Sequence, residues 1–424
     1  MASAKLTRTF SAGNRKTFTF SAWVKRNGTS TDYEGICIAS GGDQGIFFKD
    51  NNISFFINGA AERKTTRVFK DVNGWYHFVL AVDSTQGTAA DRVKFYVNGV
   101  QETAYNNSNY PTQDSDGLFN NNAGTFVLGG HSTSSYFLDG EMAHVHYVDG
   151  TAYTPSTFGE TDATTGIWKP KTAPSVTYGT NGFFLKFDNS ANMGLDSAGS
   201  NNLTTSGTVI QNKDTPSNVF NNLSSIDIPT NSSGSSGTLP TLSNASSSIT
   251  NTNSAFREIR SNIYVTKGKY YFEAKPTRIG GSGAFQVGVV LQNYSSGSGE
   301  RRAYQNNGNK YTPSSTSYGA SFTANDIIGV ALNLTDGEIT FYKNGVSQGV
   351  AATDMLSGMD NIGWTASASC YDADAHFNFG NGYFGTTAVS SAQNPDDGVG
   401  IFEYDPPTGY KAICTKSLNA QEYS

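Results

Sequence analysis

Arg92 to Gln101 reads RVKFYVNGVQ, and Glu338 to Gln348 reads EITFYKNGVSQ. In each, apolar and polar residues alternate along an aromatic-rich run that ends in Asn-Gly. A type I′ turn needs positive φ at both central positions, and Asn-Gly fills it best, so each stretch reads as a tight β-hairpin. Asn98 and Asn344 mark either two β-domains with an equivalent hairpin or two separate uses of a common turn.

The same period of two recurs outward from these hairpins, in Thr17 to Lys25 (TFTFSAWVK), Gly74 to Val82 (GWYHFVLAV) and Met142 to Val148 (MAHVHYV). Each reads as a half-buried strand. No stretch keeps apolar residues at helical spacing over three turns, so helix is minor. Composition agrees: the 424 residues include 46 Gly, 27 Phe and 22 Tyr, and only 15% are charged, against about 25% in an average globular chain. The fold class that follows is all-β, two antiparallel sandwiches with little helix, over residues 1–213 and 214–424. The boundary falls near Asp214 to Phe220 (DTPSNVF), where Asp-Thr-Pro disfavours continued regular structure. The Ser- and Thr-rich stretch from Leu223 to Ser254 is a linker or a set of long loops on the second sandwich.

With 29 Lys and Arg against 35 Asp and Glu, the net charge of −6 argues against a nucleic-acid partner. The basic residues Lys5, Arg8, Arg15, Lys16, Lys25 and Arg26 are interleaved with strand residues and read as a solvated face. No apolar run approaches the roughly 18 residues that cross a bilayer, and Met1 to Lys16 has no apolar stretch of signal-peptide length. The expectation is a soluble chain without membrane insertion. Cys37, Cys370 and Cys414 are scattered, without Cys-x-x-Cys spacing, and read as buried small hydrophobes of a protein made in a reducing compartment.

Several further segments carry a resemblance. In the first half they are Leu6 to Arg26, Trp75-Tyr76-His77, FYVNG from Phe95, Phe137 to Glu160, GIWK from Gly166, Gly179 to Phe187 and DTPSN from Asp214. In the second they are GKYYFEA from Gly268, NDIIGVAL from Asn325, Ile339 to Gly349, FNFG from Phe377 and PTGYKAICT from Pro407. In order and extent they resemble marine bacteriophage virion proteins of the tail-fibre type, which pair a laminin-G or concanavalin A-like jelly roll with a SPRY-like sandwich. The resemblance implies a virion structural protein, made in the host cytoplasm, that partners other virion proteins and host surface polysaccharide. An external fibre or appendage subunit is the leading reading. A capsid decoration or tail subunit without a glycan ligand is the alternative, and a glycan-degrading enzyme a distant third. Such proteins usually open with an additional strand, whereas only Met1 to Leu6 precede the Thr-Arg-Thr stretch here. An open edge near Thr7 to Phe10 is therefore expected, to be filled by Gly182 to Phe187 or by another chain, which points to a homo-oligomer such as a trimer.

Catalytic motifs are not found. The Glu-x-Asp-x-x-Glu of laminarinase-like relatives is incomplete at Glu160 and Asp162, where Thr165 takes the second Glu position, and at Glu403 and Asp405, where Thr408 does. His144 and His146 share a strand face and could ligate a metal, but with only His131 close in sequence a structural role is preferred. The expectation is no enzymatic activity and no cofactor. Calcium stays open on oxygen-rich turns, above all Asp114 and Asp116, then Asp188, Asn189 and Asp196, and Asp372 with Asp374, although turn chemistry explains such residues better. Aromatic residues in polar loops suit sugar binding, because sugar C–H faces stack on rings while Asn, Asp and Arg bond the hydroxyls. Tyr136, Tyr294, Tyr304, Tyr311 and Tyr318 meet that description, with Arg301 and Arg302 beside Tyr304. The expected ligand site is the loop region from Gln292 to Tyr318.

Overall fold

The computed structural model describes residues 4–28, 32–39, 44–131, 133, 135–224, 240–292, 300–359 and 362–422. The chain divides into two compact units, Met1–Gln211 and Asn212–Ser424. Among the described residues the one α-helix is Thr415–Glu422, and no helix is long and apolar enough to cross a membrane. The three cysteines are free and buried.

In the first unit an eight-stranded sheet runs, in spatial order, Tyr105–Asn107, Arg63–Thr65, Asn52–Phe56, Gln44–Lys49, Glu34–Ala39, Thr125–Leu128, Lys5–Thr9 and Thr204–Ser206. A six-stranded sheet runs Phe183–Leu185, Gly140–Asp149, Thr17–Arg26, Tyr76–Asp83, Val93–Val97 and Val100–Gln101. Rings from the two sheets meet between them: Phe48 and Phe78 have centroids 5.8 Å apart, Phe55 and Phe95 5.5 Å, Phe126 and Tyr147 5.3 Å. The alternation read along each strand delivers one such ring every second residue into this core.

The second unit repeats the plan. One sheet has the order Thr241–Ser243, Ser248–Asn251, Ala373–Asn378, Lys269–Ile279, Ile328–Asn333, Glu338–Lys343 and Val346–Ala352, with Lys411–Ala412 pairing in parallel with Lys269–Ile279. The facing sheet has the order Arg257–Arg260, Trp364–Cys370, Phe285–Leu291, Arg301–Gln305, Asn309–Tyr311 and Ser315–Ser317. Part of the Ser-rich stretch read as linker or loop is therefore strand. Ile249 is buried in the core, and Ser248 Oγ lies 2.7 Å from His376 Nδ1 on the neighbouring strand.

The two Asn-Gly hairpins are equivalent in bonding as well as in sequence. Asn98 and Gly99 have φ of 49° and 83°, Asn344 and Gly345 48° and 78°, as a type I′ turn demands. Asn98 N donates to His77 O at 2.9 Å while His77 N donates to Asn98 Oδ1 at 2.7 Å. Asn344 N donates to Ile327 O at 2.8 Å while Ile327 N donates to Asn344 Oδ1 at 2.7 Å. Each asparagine thus ties its turn to the strand alongside.

Three expectations are corrected. The strand Lys5–Thr9 has no open edge, because it pairs with Thr125–Leu128 on one side and Thr204–Ser206 on the other. Gly182 to Phe187 serves the other sheet, where Phe183–Leu185 pairs with Gly140–Asp149. The edge that motivated an oligomer is filled from within the chain. Second, the basic cluster is not all solvated. Lys25 and Arg26 are fully buried, and Arg26 donates to Glu34 Oε2 at 3.2 Å and to Phe69 O, with its guanidinium 4.4 Å from the Phe48 ring centroid.

Third, Thr17–Arg26 is buried on both faces rather than one. Its second face lies under the segment 151–178. Trp168 Nε1 donates to His77 Nδ1 at 2.9 Å, and His77 Nε2 lies 2.9 Å from Ser21 Oγ. Indole N–H is a donor only, so His77 is the neutral Nε2–H tautomer and Ser21 Oγ accepts from it. Trp23 stacks on His77 at 4.8 Å, and the Trp168 ring sits so close over Gly99 and Gly159 that a Cβ on either would come within 3.0 Å or less of it. His146 Nδ1 lies 2.8 Å from Tyr178 Oη, and its ring stacks on Phe184 at 3.9 Å.

Two outcomes follow. Asn98→Ala or Asn344→Ala keeps the positive φ but loses the side-chain acceptor, and each should cost about 1–2 kcal/mol, read as a lowered midpoint in urea unfolding; the matching Asn→Gly changes should cost less. Burial holds His77 down to about 3 and His146 well below its ordinary value, and lowers His144. The unfolded chain therefore takes up these protons first, so this contribution is complete above about pH 6.5 and is lost as pH falls toward 3. Glu34, raised to about 7 by burial, opposes it within the same unit, and Glu273, also raised to about 7 by burial, acts in the second unit with the opposite sign. Tryptophan fluorescence, to which Trp23, Trp75 and Trp168 contribute from the first unit, should report earlier urea unfolding at about pH 4.5 than at about pH 7.5.

Candidate binding face of the second unit

Strand register decides which sequence candidates come together. Across the six-stranded sheet one row is Ile259, Ala368, Val287 and Tyr304, all in the hydrophobic core. The adjacent rows are Glu258, Ser369, Gln286 and Gln305, and Arg260, Ser367, Gly288, Ala303 and Tyr311. Side chains on neighbouring rows point to opposite faces, so these last two lie on the face turned away from the core.

Arg301–Gln305 is thus a strand and not a loop, and its side chains alternate. Tyr304 is corrected from ligand candidate to core residue: it is fully buried, packs on Tyr318, Phe322 and Phe341, and its hydroxyl donates to Ala320 O. Arg302 points the same way and is also withdrawn. Its Nε donates to Asp354 Oδ1 at 3.0 Å and its Nη2 to Asp354 Oδ2 at 2.6 Å, a bidentate pair beside the Trp364 ring. Tyr318 is partly buried against the core, its hydroxyl donating to Gly349 O and accepting from Phe341 N. Tyr294 lies outside the described residues. Tyr136 belongs to the first unit and is 45% exposed.

Arg301 and Tyr311 remain together on the outer face. The Arg301 guanidinium lies 4.3 Å from the Tyr311 ring centroid, and its Nη2 donates to Gln286 Oε1 at 2.7 Å. Glu258 stands between two arginines, 3.2 Å from Arg260 Nε and 3.9 Å from Arg301 Nη1. Ser315 Oγ donates to Gln305 Oε1 at 2.8 Å. Ser367, Ser369, Gly288 and Ala303 floor these two rows with small side chains. The face was legible in the alternation of Trp364 to Cys370 (WTASASC), whose threonine and serines fall on one side.

At one end of this face lies an aromatic pair that sequence reasoning missed. Phe256 and Tyr371, one residue beyond the register partners Arg257 and Cys370, are 46% and 36% exposed with ring centroids 5.5 Å apart. Beside Tyr371, Arg278 takes Asp374 with Nε and Nη2 at 2.8 and 2.9 Å and also pairs with Asp372. A guanidinium is thus held between these two carboxylates. Asp114 and Asp116, the leading metal candidates, likewise each face a cation, Lys16 at 3.3 Å and Arg15 at 3.6 Å. Asp196 is a turn residue, accepting from the backbone of Phe184, Ala198 and Asn201. Among the described residues no group of three or more His, Cys, Asp or Glu could hold a metal ion. Ser21 and His77 have the spacing of a nucleophile and base, but both are buried and the other His nitrogen receives an indole N–H where a triad has a carboxylate.

Residues 2–157 match the concanavalin A-like lectin/glucanases superfamily, and residues 269–382 match the SPRY domain. The two matches fall one in each compact unit. Among solved structures, the SPRY domain of human HERC1 is similar at 19% identity, covering 31% of this chain and 87% of that one, with a TM-score of 0.28. A "putative carbohydrate binding protein" from Bacteroides ovatus ATCC 8483 is similar at 18% identity and a TM-score of 0.37, covering 49% of this chain and 57% of that one. Most of this face, from Gln286 to Tyr371, lies within the residues that match the SPRY domain.

The core-facing and outward sides of this sheet should separate in mutagenesis. Tyr304→Ala should lower unfolding stability by about 3–5 kcal/mol, as for a large aromatic removed from a core. Tyr371→Ala, at the exposed end, should stay within about 0.5 kcal/mol. Both are read by urea denaturation.

Proposed function

We propose that this protein binds glycan without cleaving it, as an external fibre or appendage subunit of a bacteriophage virion that contacts host surface polysaccharide. One observation carries the binding part: the exposed Phe256 and Tyr371 rings at the end of a sheet face whose polar groups, Glu258, Gln286, Arg260 and Arg301, are fixed by one another. Rings supply a stacking platform for sugar C–H faces, and orderly side-chain donors and acceptors supply orientation. The lectin-type sandwich in the same chain supports the reading. The virion role rests on the family resemblance of the sequence.

The absence of hydrolysis is supported by where the acidic candidates stand. Asp162 is bound by Lys169 Nζ at 2.7 Å and by the backbone of Thr164 and Thr165, which together with that ammonium hold it far below the usual carboxylate range. Glu403 is engaged by Ser390. Lys169 Nζ also lies 3.9 Å from Glu160 Oε1, so one ammonium engages both carboxylates of the Glu160 and Asp162 motif.

The test is an array of purified bacterial capsular and O-chain polysaccharides probed with the full chain. Binding to at least one member is expected, weakened about five- to tenfold in Phe256→Ala with Tyr371→Ala, without release of reducing sugar. Immunogold labelling should place the chain on the outside of the phage particle. No binding to any polysaccharide sinks the reading, and sugar release would restore hydrolysis.

A further inference from the structure

We infer that residues 154–177 form a lid over the six-stranded sheet of the first unit, latched by His77 and released reversibly in weak acid while the sandwich beneath stays folded. Among the described residues, the one hydrogen bond that this segment makes to either sheet runs from Trp168 Nε1 to His77 Nδ1 at 2.9 Å. Its short strands Gly159–Thr161 and Trp168–Pro170 pair only with each other. The flanks are tied down more firmly: Thr19 Oγ1 donates to Thr151 O and accepts from Tyr153 N, and Asp149 N donates to Tyr178 O. The apolar contacts of the lid belong to a small cluster of its own, in which Phe158 packs with Val79 and Val148 on the outer face of the sheet, whereas the large core between the sheets holds no residue of the lid. A segment anchored at both ends and latched once between them can open without disturbing a strand.

Three histidines gather beneath the lid. His77 and His146 meet at Ser21, whose Oγ lies 2.9 Å from His77 Nε2 and which is the register partner of His146 on the neighbouring strand. His146 reaches Tyr178 Oη at 2.8 Å and packs on Phe158 and Phe184; His144, at a bulge two residues earlier, stacks on Phe184 as well. The hydrogen-bond partners of the rings are thus Ser21, Trp168 and Tyr178, none of them a carboxylate. Of the charged groups on this face, Lys186 acts on His144, Asp196 acts on Tyr178, Lys25 and Glu141 stand opposite each other across the strands, and Lys94 pairs with Asp91. On the lid itself Lys169 takes both Asp162 and Glu160, and Lys171 donates to Ser156 O.

A proton on these rings is incompatible with a closed lid. Protonated His77 has no lone pair left to accept the indole N–H, so the latch is lost outright. The imidazolium groups would also repel one another, with the Lys186 ammonium adding to the repulsion at His144. Burial, helped by His144, accordingly holds His77 down to about 3, keeps His146 well below its ordinary value and lowers His144. Lifting the lid returns water to the rings and with it a value near about 6.5. The open form therefore binds protons more tightly. The latch is complete above about pH 6.5 and weakens as pH falls, by about thirtyfold at pH 5 from His77 alone. Opening turns the Trp23, Phe158 and Phe184 rings to water.

The test is fluorine NMR of the full chain labelled with fluorotryptophan, its 4 tryptophan resonances assigned by single Trp→Phe changes, with far-ultraviolet circular dichroism recorded on the same samples. Between about pH 7.5 and about pH 5 the Trp168 resonance should move reversibly toward its position in the urea-unfolded chain, while the Trp364 resonance of the second unit and the β-sheet circular dichroism hold. His77→Gln supplies an amide that can accept from Trp168 and donate to Ser21 but takes no proton, and it should lower the midpoint of the movement by about one pH unit. His146→Gln should lower it in the same direction and serves in its place if the first variant does not fold. A Trp168 resonance that keeps its position until the circular dichroism collapses overturns the inference, and so does a midpoint indifferent to these substitutions.

Discussion

A β-strand shows alternate side chains to opposite sides, and in a sandwich the facing sheet can cover only one of them. The fate of the other face governs both units. In the first, the six-stranded sheet has that face roofed by residues 151–178, and the roof is fixed by polar bonds made out of water. His77 is the joint: its backbone exchanges bonds with Asn98, one ring nitrogen bonds Ser21, and the other receives Trp168, which rests on Gly99. A buried imidazole satisfied on both nitrogens is held neutral and in one orientation, so a hairpin turn and a distant tryptophan are locked by a single side chain. In the second unit the corresponding outward face keeps its polar residues, and these bond one another.

The hairpins, the two sandwiches and much of the core were legible because each follows from a local rule. Period-two alternation gives strands, and Asn-Gly gives the turn. What was not legible depends on partners far along the chain. The edge beside Lys5–Thr9 is closed by Thr204–Ser206, a short run with no apolar signal of its own. Lys25 and Arg26 were read by charge, yet Glu34, Phe48 and Phe69 bury Arg26. The ligand region was misread for a simpler reason. Its Gly, Ser and Asn suggested loops, so alternation was not applied to Arg301–Gln305, where it would have sent Tyr304 and Arg302 inward and left Arg301 outward.

Charge inside these units is handled by pairing and by donors. Arg302 and Asp354 meet through two bonds at the core margin, and Arg26 has a carboxylate, a carbonyl and a ring. Glu273, buried and lifted toward neutrality, accepts from the backbone of Glu403 and Tyr404 and from Asn378 and Tyr271. Those bonds hold the segment around residues 402–404 to the sheet of Lys269–Ile279. Isolated pairs of this kind add little net stability, but breaking one leaves an uncompensated charge. They therefore act as pins that specify where a segment lies.

The same accounting bears on how such a surface can recognise a ligand. Glu258, Gln286, Arg260 and Arg301 already bond or pair with one another, and Gln286, Gln305, Ser367 and Ser369 are buried. A ligand hydroxyl approaching them must replace a bond already made, so the net gain per hydrogen bond is small. Attraction then comes from surfaces that water still wets, such as the exposed Phe256 and Tyr371 rings. Stacking on an exposed ring contributes only on the order of 1 kcal/mol beyond the area it covers, which makes each contact weak. Weak contacts become firm attachment when several engage one polymer, since every contact after the first is intramolecular and enjoys a high effective concentration. A repetitive polysaccharide provides that arrangement, because the same ring recurs along it at short intervals. A small, free sugar does not, which is why the proposed ligand is a polymer rather than a soluble metabolite.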